Sequence, residues 1–253
     1  MTQAVSKFRF TNLLTALNVT FLLVSDFTGA RIIGLLGVGV SVTVLYFPIT
    51  YLIGDVLTEV YGYAHSRRVI WISMFCSIIG SAVAGGQLAV PAADFFGADA
   101  AYRTVFSQSL KISAAGLFAF FAGDVCNSYV LAKLKIWDRG KRLWVRFVAS
   151  TVIGEGVNTV LFYGIALYSV LPQRFLLRAL LMGWAAKVVV EVVMLPVSYC
   201  VVAFLKRAEA VDYYDYDTNF NPFLVAISLE GLRNVFSSIL PVLSLSSAAN
   251  TFS

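Results

Sequence analysis

The 253-residue sequence contains a single histidine and only three cysteines, and just 13% of its residues are charged. One histidine, His65, excludes both an HExxH motif and a three-histidine zinc site, and we expect it in a solvated turn. Cys76, Cys126 and Cys200 stand alone in apolar stretches without a CxxC pair, which is typical of small core residues. No Walker-type phosphate loop and no GxSxG elbow is present. We therefore expect neither a metal nor a cofactor.

The scarcity of charge also excludes an ordinary soluble domain. Hydrophobic residues make up 59% of the chain, and the mean hydropathy of +0.80 indicates a membrane protein with several spans. A net charge of +5 would suggest nucleic acid as the partner of a soluble protein. Here the basic residues gather in short loops between apolar runs, so the lipid bilayer is the expected partner and nucleic acid is not.

Six segments have the roughly 20 largely apolar residues that a spanning helix needs. The sequence therefore predicts an all-α, polytopic integral membrane protein, a bundle of six transmembrane helices. The predicted spans cover residues 11–29, 40–61, 69–90, 112–134, 145–167 and 175–205. The first is interpreted as a span and not a signal peptide, because no small-x-small cleavage site follows it. Residues 1–207 would form the six-helix transmembrane domain and 208–253 a cytoplasmic C-terminal tail, with at most an interfacial helix over 235–245.

The basic loops predict the orientation. Arg67 and Arg68, the basic residues between 133 and 146, and the Lys206-Arg207 pair all fall on one side, together with the basic N-terminus. Positive loops face the cytoplasm, so both termini are expected there, in a multi-pass protein of the cell inner (cytoplasmic) membrane. The long outer connection over residues 91–103 is either a partial lid or a solvated loop.

Charged residues inside the predicted spans are the main functional signal, because charge in a bilayer is costly. Each lies nine to thirteen residues from a basic residue that marks a membrane edge, which at about 1.5 Å per residue places it near the middle of a ~30 Å core. These residues are Asp55, Asp124, Glu155, Lys187 and Glu191. Acids and a base from four spans thus converge on one layer.

Helical spacing gives each of these spans a polar face. Asp124 aligns with Asn127, Glu155 aligns with Asn158, and Lys187 aligns with Glu191. Together the faces offer acceptors, donors and aromatic surfaces suited to a polar planar ligand. The predicted substrate-binding residues are Asp55, Phe121, Asp124, Asn127, Glu155, Asn158, Phe162, Trp184, Lys187 and Glu191.

Structural interpretations of the same residues remain open. Lys187 and Glu191 would neutralise each other at i, i+4, and asparagine often links helices in membranes. Glu59 is expected at the membrane interface, paired with Arg67 or Arg68, and Asp26 at the outer end of the first span is expected to be interfacial. Intramembrane hydrolysis by Asp124 and Glu155 would make the chain an enzyme, a third class of function.

One sequence pattern recurs. Gly54-Asp55-Val56 is repeated as Gly123-Asp124-Val125, and Gly154-Glu155 followed by Asn158 resembles Gly123-Asp124 followed by Asn127. Either these are repeats of one helix-hairpin plan, as in many carriers, or they are chance matches of three residues.

The ordered set of motifs resembles a known family. The motifs that carry the resemblance are Phe47-Pro48, the stretch from Gly54 to Gly62, the segments 121–128 and 146–155, Lys187 and Glu191 before Pro196, and residues 217–223. The set is similar to the queuosine precursor transporters, once labelled vitamin uptake transporters. The resemblance covers roughly residues 11–223. It implies import of a 7-deazaguanine (preQ0, preQ1 or queuine) across the cytoplasmic membrane, with no enzyme activity.

The implied ligand fits the polar layer. A guanine-like edge offers N–H donors to a carboxylate such as Glu155 or Asp124, and Asn127, Asn158 or Lys187 could donate to its carbonyl. A cationic aminomethyl group would favour a further acid, for which Glu191 is the expected residue. The alternative function is a substrate-binding subunit of an energy-coupling-factor importer that needs a separate ATPase module. Small residues around Gly80 and Ala84 would permit a homodimer or close internal packing.

Overall fold

The computed structural model describes residues 8–168 and 173–224, without the side chains of 108–112, 167 and 173. Described residues up to Phe220 belong to one compact unit, and residues 221–224 belong to a second. The predicted interfacial helix at 235–245 lies outside the described residues. The elements in chain order are α1 (Thr11–Thr28), β1 (Ile32–Leu35), β2 (Val38–Ser41), a 3-10 turn (Val42–Leu45), α2 (Pro48–Tyr61), α3 (Tyr63–Gly86), a 3-10 turn (Gln87–Ala89), α4 (Asp99–Asp138), α5 (Leu143–Phe162), a π-helical turn (Tyr163–Leu167) and α6 (Gln173–Glu209).

The helices confirm an all-α, multi-pass membrane protein. Within the described residues, four stretches are long and apolar enough to cross a bilayer: Tyr63–Ala89, Ser113–Asp138, Leu143–Ala166 and Arg174–Glu209. Large apolar side chains line the outside of α6, where Val189, Val193 and Val197 are exposed. An apolar surface of this kind suits lipid rather than water. The expected count of six spans is not confirmed.

The predicted second span, residues 40–61, is wrong as a single helix. Its first part belongs to an antiparallel hairpin in which Ile32 pairs with Ser41, and α2 begins only at Pro48. The hairpin turn places Leu36 and Gly37 at φ +48° and +77°, the left-handed geometry of tight two-residue turns. The 14 residues of α2 extend only about 21 Å, less than the ~30 Å hydrocarbon core.

Helix α2 is enclosed by the other helices. It packs against α1, α3, α4 and α6, and all of its residues except Ile49 and Leu52 are buried. Pro48 occupies its first turn, where the missing N–H costs no hydrogen bond. The two acids of this helix, Asp55 and Glu59, are therefore surrounded by protein and not by lipid.

Helices α4 and α5 approach each other through glycine. A Cβ atom at Gly123 would lie 2.7 Å from the Cβ of Asn158, and one at Gly154 would lie 2.6 Å from the Cβ of Asn127. The two similar motifs therefore face each other reciprocally, each glycine against the asparagine of the other. This contact fixes the height at which the polar faces of α4 and α5 meet.

The outer connection is shorter than expected. Helix α4 begins at Asp99, so the last part of the predicted loop over 91–103 is helical. Asp99 accepts a hydrogen bond from Arg103 one turn later, at 2.6 Å, and Arg103 also donates to the carbonyl of Leu88 at 2.6 Å. This i, i+4 pair in the first turn explains why the helix starts before the apolar run.

Candidate functional site

Lys187 on α6 is the central side chain of the predicted layer. Its Nζ donates to Glu155 Oε2 at 2.8 Å and to Asn158 Oδ1 at 3.0 Å, both on α5. The ammonium also lies 4.7 Å from the centroid of the Phe47 ring, within cation–π range. Lys187 thus pairs with Glu155 across helices. Among the ion pairs of the described residues, Lys187 is paired with Glu155 and not with Glu191 on its own helix.

A second pair joins α2 to α4. Asn127 Nδ2 donates to Asp55 Oδ1 at 2.5 Å, and both side chains are buried. Asp124 is also buried and lies on α4, one helical turn before Asn127. The Tyr51 hydroxyl donates to the carbonyl of Gly154 at 3.4 Å, linking α2 to α5. Four helices, α2, α4, α5 and α6, therefore contribute side chains to one buried polar layer.

Several acceptor atoms in this layer are unused by the protein. In the part of the chain that the structure describes, the following buried atoms have no hydrogen-bond partner: Asp55 Oδ2, Asp124 Oδ1, Asn127 Oδ1, Thr151 Oγ1, Glu155 Oε1, and both carboxyl oxygens of Glu191. A buried polar atom without a partner costs roughly 1–3 kcal/mol. Because native proteins leave few such atoms unpaired, a cluster of them at one level is a feature that needs an explanation.

A pocket opens onto one side of the layer. Its empty volume is about 400 Å³, including the space at its mouth, and it lies between α1, the 3-10 turn before α2, α4, α5 and α6. The lining residues are Leu22, Ser25, Asp26, Thr43, Phe47, Gly116, Asn158, Phe162 and Lys187. A smaller pocket of about 230 Å³ shares Thr43, Phe162 and Lys187 with it. Lys187 and Asn158 therefore form the boundary between the open space and the buried carboxyls.

The predicted aromatic residues occupy different places. Phe162 lines both pockets. Phe121 packs against the ring of Trp71, 5.1 Å between centroids, and Trp184 donates from its indole N–H to the carbonyl of Val152 at 3.1 Å. Neither Phe121 nor Trp184 is among the lining residues of the two pockets. The second aromatic wall is Phe47.

Sequence reasoning missed Phe47 and Asp26. Phe47 was part of the family motif, but only the cation–π contact with Lys187 reveals its position. Asp26 was expected at the interface and is instead 6% exposed and lines the larger pocket. It accepts hydrogen bonds from Ser77 Oγ through its carboxylate and from Ser113 Oγ through its carbonyl. Those partners come from α3 and α4, so no local sequence pattern predicts that Asp26 is buried.

Glu59 belongs to a separate charged cluster. Its carboxylate accepts hydrogen bonds from Arg146 at 3.0 Å and from Lys206 at 2.7 Å, and Lys135 lies 3.5 Å away. The expected pairing of Glu59 with Arg67 or Arg68 is therefore wrong, and Glu59 is buried among bases of α4, α5 and α6. Arg67 instead donates to the carbonyl of Asn219 at 2.8 Å. This Glu59 cluster joins the ends of α2, α4, α5 and α6.

The segment after α6 closes over the same end of the bundle. Asp215 accepts hydrogen bonds from the backbone N–H of Tyr63 at 3.1 Å, and Asp212 accepts one from Lys135 at 2.6 Å. The Tyr63 hydroxyl donates to the carbonyl of Phe220 at 3.1 Å. The compact unit therefore continues beyond Arg207 to Phe220, and the cytoplasmic location of the tail stays a prediction.

Comparison with known proteins adds to this geometry. A family model described as "Putative vitamin uptake transporter" matches residues 41–201. The chain is 25% identical over 146 residues to the "Probable queuosine precursor transporter" of Bacillus subtilis (strain 168), covering 57% of this chain and 64% of that relative. It is 24% identical over 151 residues to the "Queuosine precursor transporter" of Escherichia coli (strain K12), covering 58% and 65%. No solved structure matches the chain.

The two curated matches each span slightly less than two thirds of the relative's own length. The family match includes α2 to α5 and most of α6, and with them every charged residue of the buried layer. It is also a match to transporters and not to enzymes. The resemblance expected from the motifs is therefore confirmed, and the chain belongs to the "Putative vitamin uptake transporter" family, the family of queuosine precursor transporters.

Proposed function

We propose that this chain imports queuosine precursors, the 7-deazaguanines preQ0, preQ1 or queuine, across the cytoplasmic membrane. It acts as a carrier whose binding layer is formed by Asp55, Asp124, Glu155, Lys187 and Glu191. Both termini lie in the cytoplasm in this proposal, and the ligand is a small nucleobase-like molecule. The names of the relatives and the chemistry of the layer support the same substrate class.

The observation that carries the proposal is the set of unused buried acceptors around Lys187. A 7-deazaguanine presents a ring N–H and an exocyclic amino group side by side, and a carboxylate can accept from both at once. Its ring carbonyl needs a donor, which Lys187 or an asparagine amide supplies. The ligand therefore satisfies the atoms that the protein leaves unpaired, and the cost of burying them is offset when the base is bound.

The pocket gives the base a route to this layer. Phe47 and Phe162 both line it and offer flat apolar faces for stacking on a planar ring. Lys187 and Asn158 separate it from Glu155 and its neighbours, so their movement controls access to the carboxyls. A site near mid-depth with access from one side at a time is the arrangement that alternating-access carriers use.

Uptake of labelled preQ1 and queuine tests the proposal. The host should be unable to make queuosine and should express this chain alone, as wild type or as Glu155→Gln. Wild-type uptake is expected. The variant should lose about tenfold or more of it, because a hydrogen bond to a charged group contributes roughly 1.5–3 kcal/mol. Asp94→Asn is the matched control, since Asp94 is exposed in the outer connection and should leave uptake unchanged.

The same assay separates the alternative function. If the chain alone gives no uptake but does so when an energy-coupling ATPase module is co-expressed, it is a substrate-binding subunit and not a self-sufficient carrier. Absence of uptake in both arms, with well-inserted protein, would contradict the proposed substrates. Recovery of chemically altered base would instead indicate an enzyme.

A further inference from the structure

Asp26 faces the larger pocket from the side of α1. Its side chain is 6% exposed, and it lines the pocket together with Ser25 and Thr43. Lys187 and Asn158 line the same pocket from α6 and α5. One cavity therefore carries an acid contributed by α1 and a lysine contributed by α6.

The two oxygens of the Asp26 carboxylate have different surroundings. Ser77 donates to Oδ2. The other oxygen, Oδ1, lies 3.6 Å from the position where a Cβ atom at Gly116 would stand, and Phe162 Cε2 lies 3.9 Å from the same position. Gly116 thus leaves open the space between Asp26 Oδ1 and the Phe162 ring. Among the described side chains, no lysine or arginine forms an ion pair with Asp26.

Glu191 is placed differently. It is buried, but it does not line either of the two pockets described above. Lys187, one turn earlier on α6, does line them and is bound to Glu155. A group that enters the larger pocket therefore meets Asp26 and Lys187 among its lining residues, whereas Glu191 is not one of them.

We propose that Asp26 is a subsite for the cationic aminomethyl group of a 7-deazaguanine, and that it makes the transporter prefer amine-bearing bases over neutral ones. The proposal rests on the proposed function and assigns the cation subsite to Asp26 in place of Glu191. The protonated amine donates to Asp26 Oδ1, while the ring stacks near Phe162 with its polar edge toward Lys187 and Asn158. A nitrile at the same ring position has no proton to donate and gains nothing from Asp26.

Competition on the wild-type protein is the first test. Uptake of labelled preQ0 is measured against unlabelled preQ1 and against 7-methyl-7-deazaguanine, which lacks only the amine. We expect the half-inhibiting concentration of preQ1 to be at least about tenfold lower than that of 7-methyl-7-deazaguanine, which is the ratio expected from one hydrogen bond to a charged group. Equal inhibition by the two compounds would overturn the proposal, and no variant has to fold for this result.

Asp26→Asn is the second test, with Glu191→Gln beside it. Asp26→Asn should abolish the advantage of preQ1 over 7-methyl-7-deazaguanine, so that the two compounds inhibit the variant's preQ0 uptake at roughly equal concentrations. Glu191→Gln should change uptake of both bases together. Retention of the preference for preQ1 in Asp26→Asn, or loss of that preference only in Glu191→Gln, contradicts the subsite. If the wild type imports none of these bases, the proposed function fails, which is a distinct result.

Discussion

Replacing Gly123 by alanine should separate α4 from α5. The new Cβ would stand 2.7 Å from Asn158 Cβ and 3.0 Å from the Gly154 carbonyl oxygen, and it would also meet the Tyr51 hydroxyl. Carbon atoms pack at about 3.5–4.0 Å, so the helices must part by about 1 Å. Two of these three obstacles cannot swing away, because the Gly154 oxygen is backbone and Asn158 Cβ is the first atom of a buried side chain.

Overpacking of this kind costs about 1–3 kcal/mol, which for a chain of this size lowers the melting temperature by about 5 °C. Thermal unfolding of the detergent-solubilised protein measures it, and uptake of preQ1 reports the accompanying displacement of Asn158. Gly156→Ala on α5 is the control, because its Cβ would meet only Trp184 Nε1 at 3.6 Å, an ordinary contact. If Gly123→Ala were as stable and as active as Gly156→Ala, the close approach of the two helices would be refuted.

Two further perturbations test the charged groups. Lys187→Met leaves buried Glu155 without its cation and should lower the free energy of unfolding by about 3–5 kcal/mol, measured by thermal unfolding. Adding Glu155→Gln should recover part of that loss. Equal instability of the single and double variants would contradict the pairing. Burial raises the pKa of the Asp212 carboxyl, but hydrogen bonds from Lys135 and Lys206 outweigh it and leave that pKa below its ordinary value. A lowered pKa stabilises the folded state at pH values above the ordinary pKa near 4, and this stability is lost as the pH falls through the pKa of the folded state. The melting temperature of the wild type should therefore fall more steeply than that of Asp212→Asn between about pH 5 and pH 3. Parallel pH profiles of the two proteins would show that the hydrogen bonds contribute nothing.

Helical spacing predicted the polar contact between α5 and α6. Asn158 lies one turn from Glu155, and Lys187 was placed at the same depth by its distance from Arg178. The structure brings these three side chains within hydrogen-bonding distance. Period and depth were sufficient because each residue lies on a long regular helix, where position along the chain converts directly into height and face.

Residues 40–61 show where this reasoning fails. Apolar content alone does not distinguish a span from a hairpin followed by a short buried helix, because both are surrounded by apolar groups. Gly37, Gly39 and Pro48 were the available signals for a break in the helix. A short helix enclosed by four others needs no contact with lipid, so its length does not have to match the thickness of the bilayer.

Asp26 and Glu59 could not be placed from local pattern. Asp26 accepts hydrogen bonds from serines on α3 and α4, and Glu59 accepts them from Arg146 on α5 and Lys206 on α6. Arg146 had been counted as part of a loop, but it is 1% exposed. Such long-range contacts are fixed by tertiary packing, which a single sequence does not reveal.

Equilibrium binding of labelled preQ1 to the purified protein in lipid nanodiscs tests the central claim most directly. The wild type and Asp94→Asn should bind the base with the same affinity, and Glu155→Gln should bind it about tenfold or more weakly. Equal affinity in all three proteins, with the variants correctly folded, would contradict a binding site in the layer around Lys187.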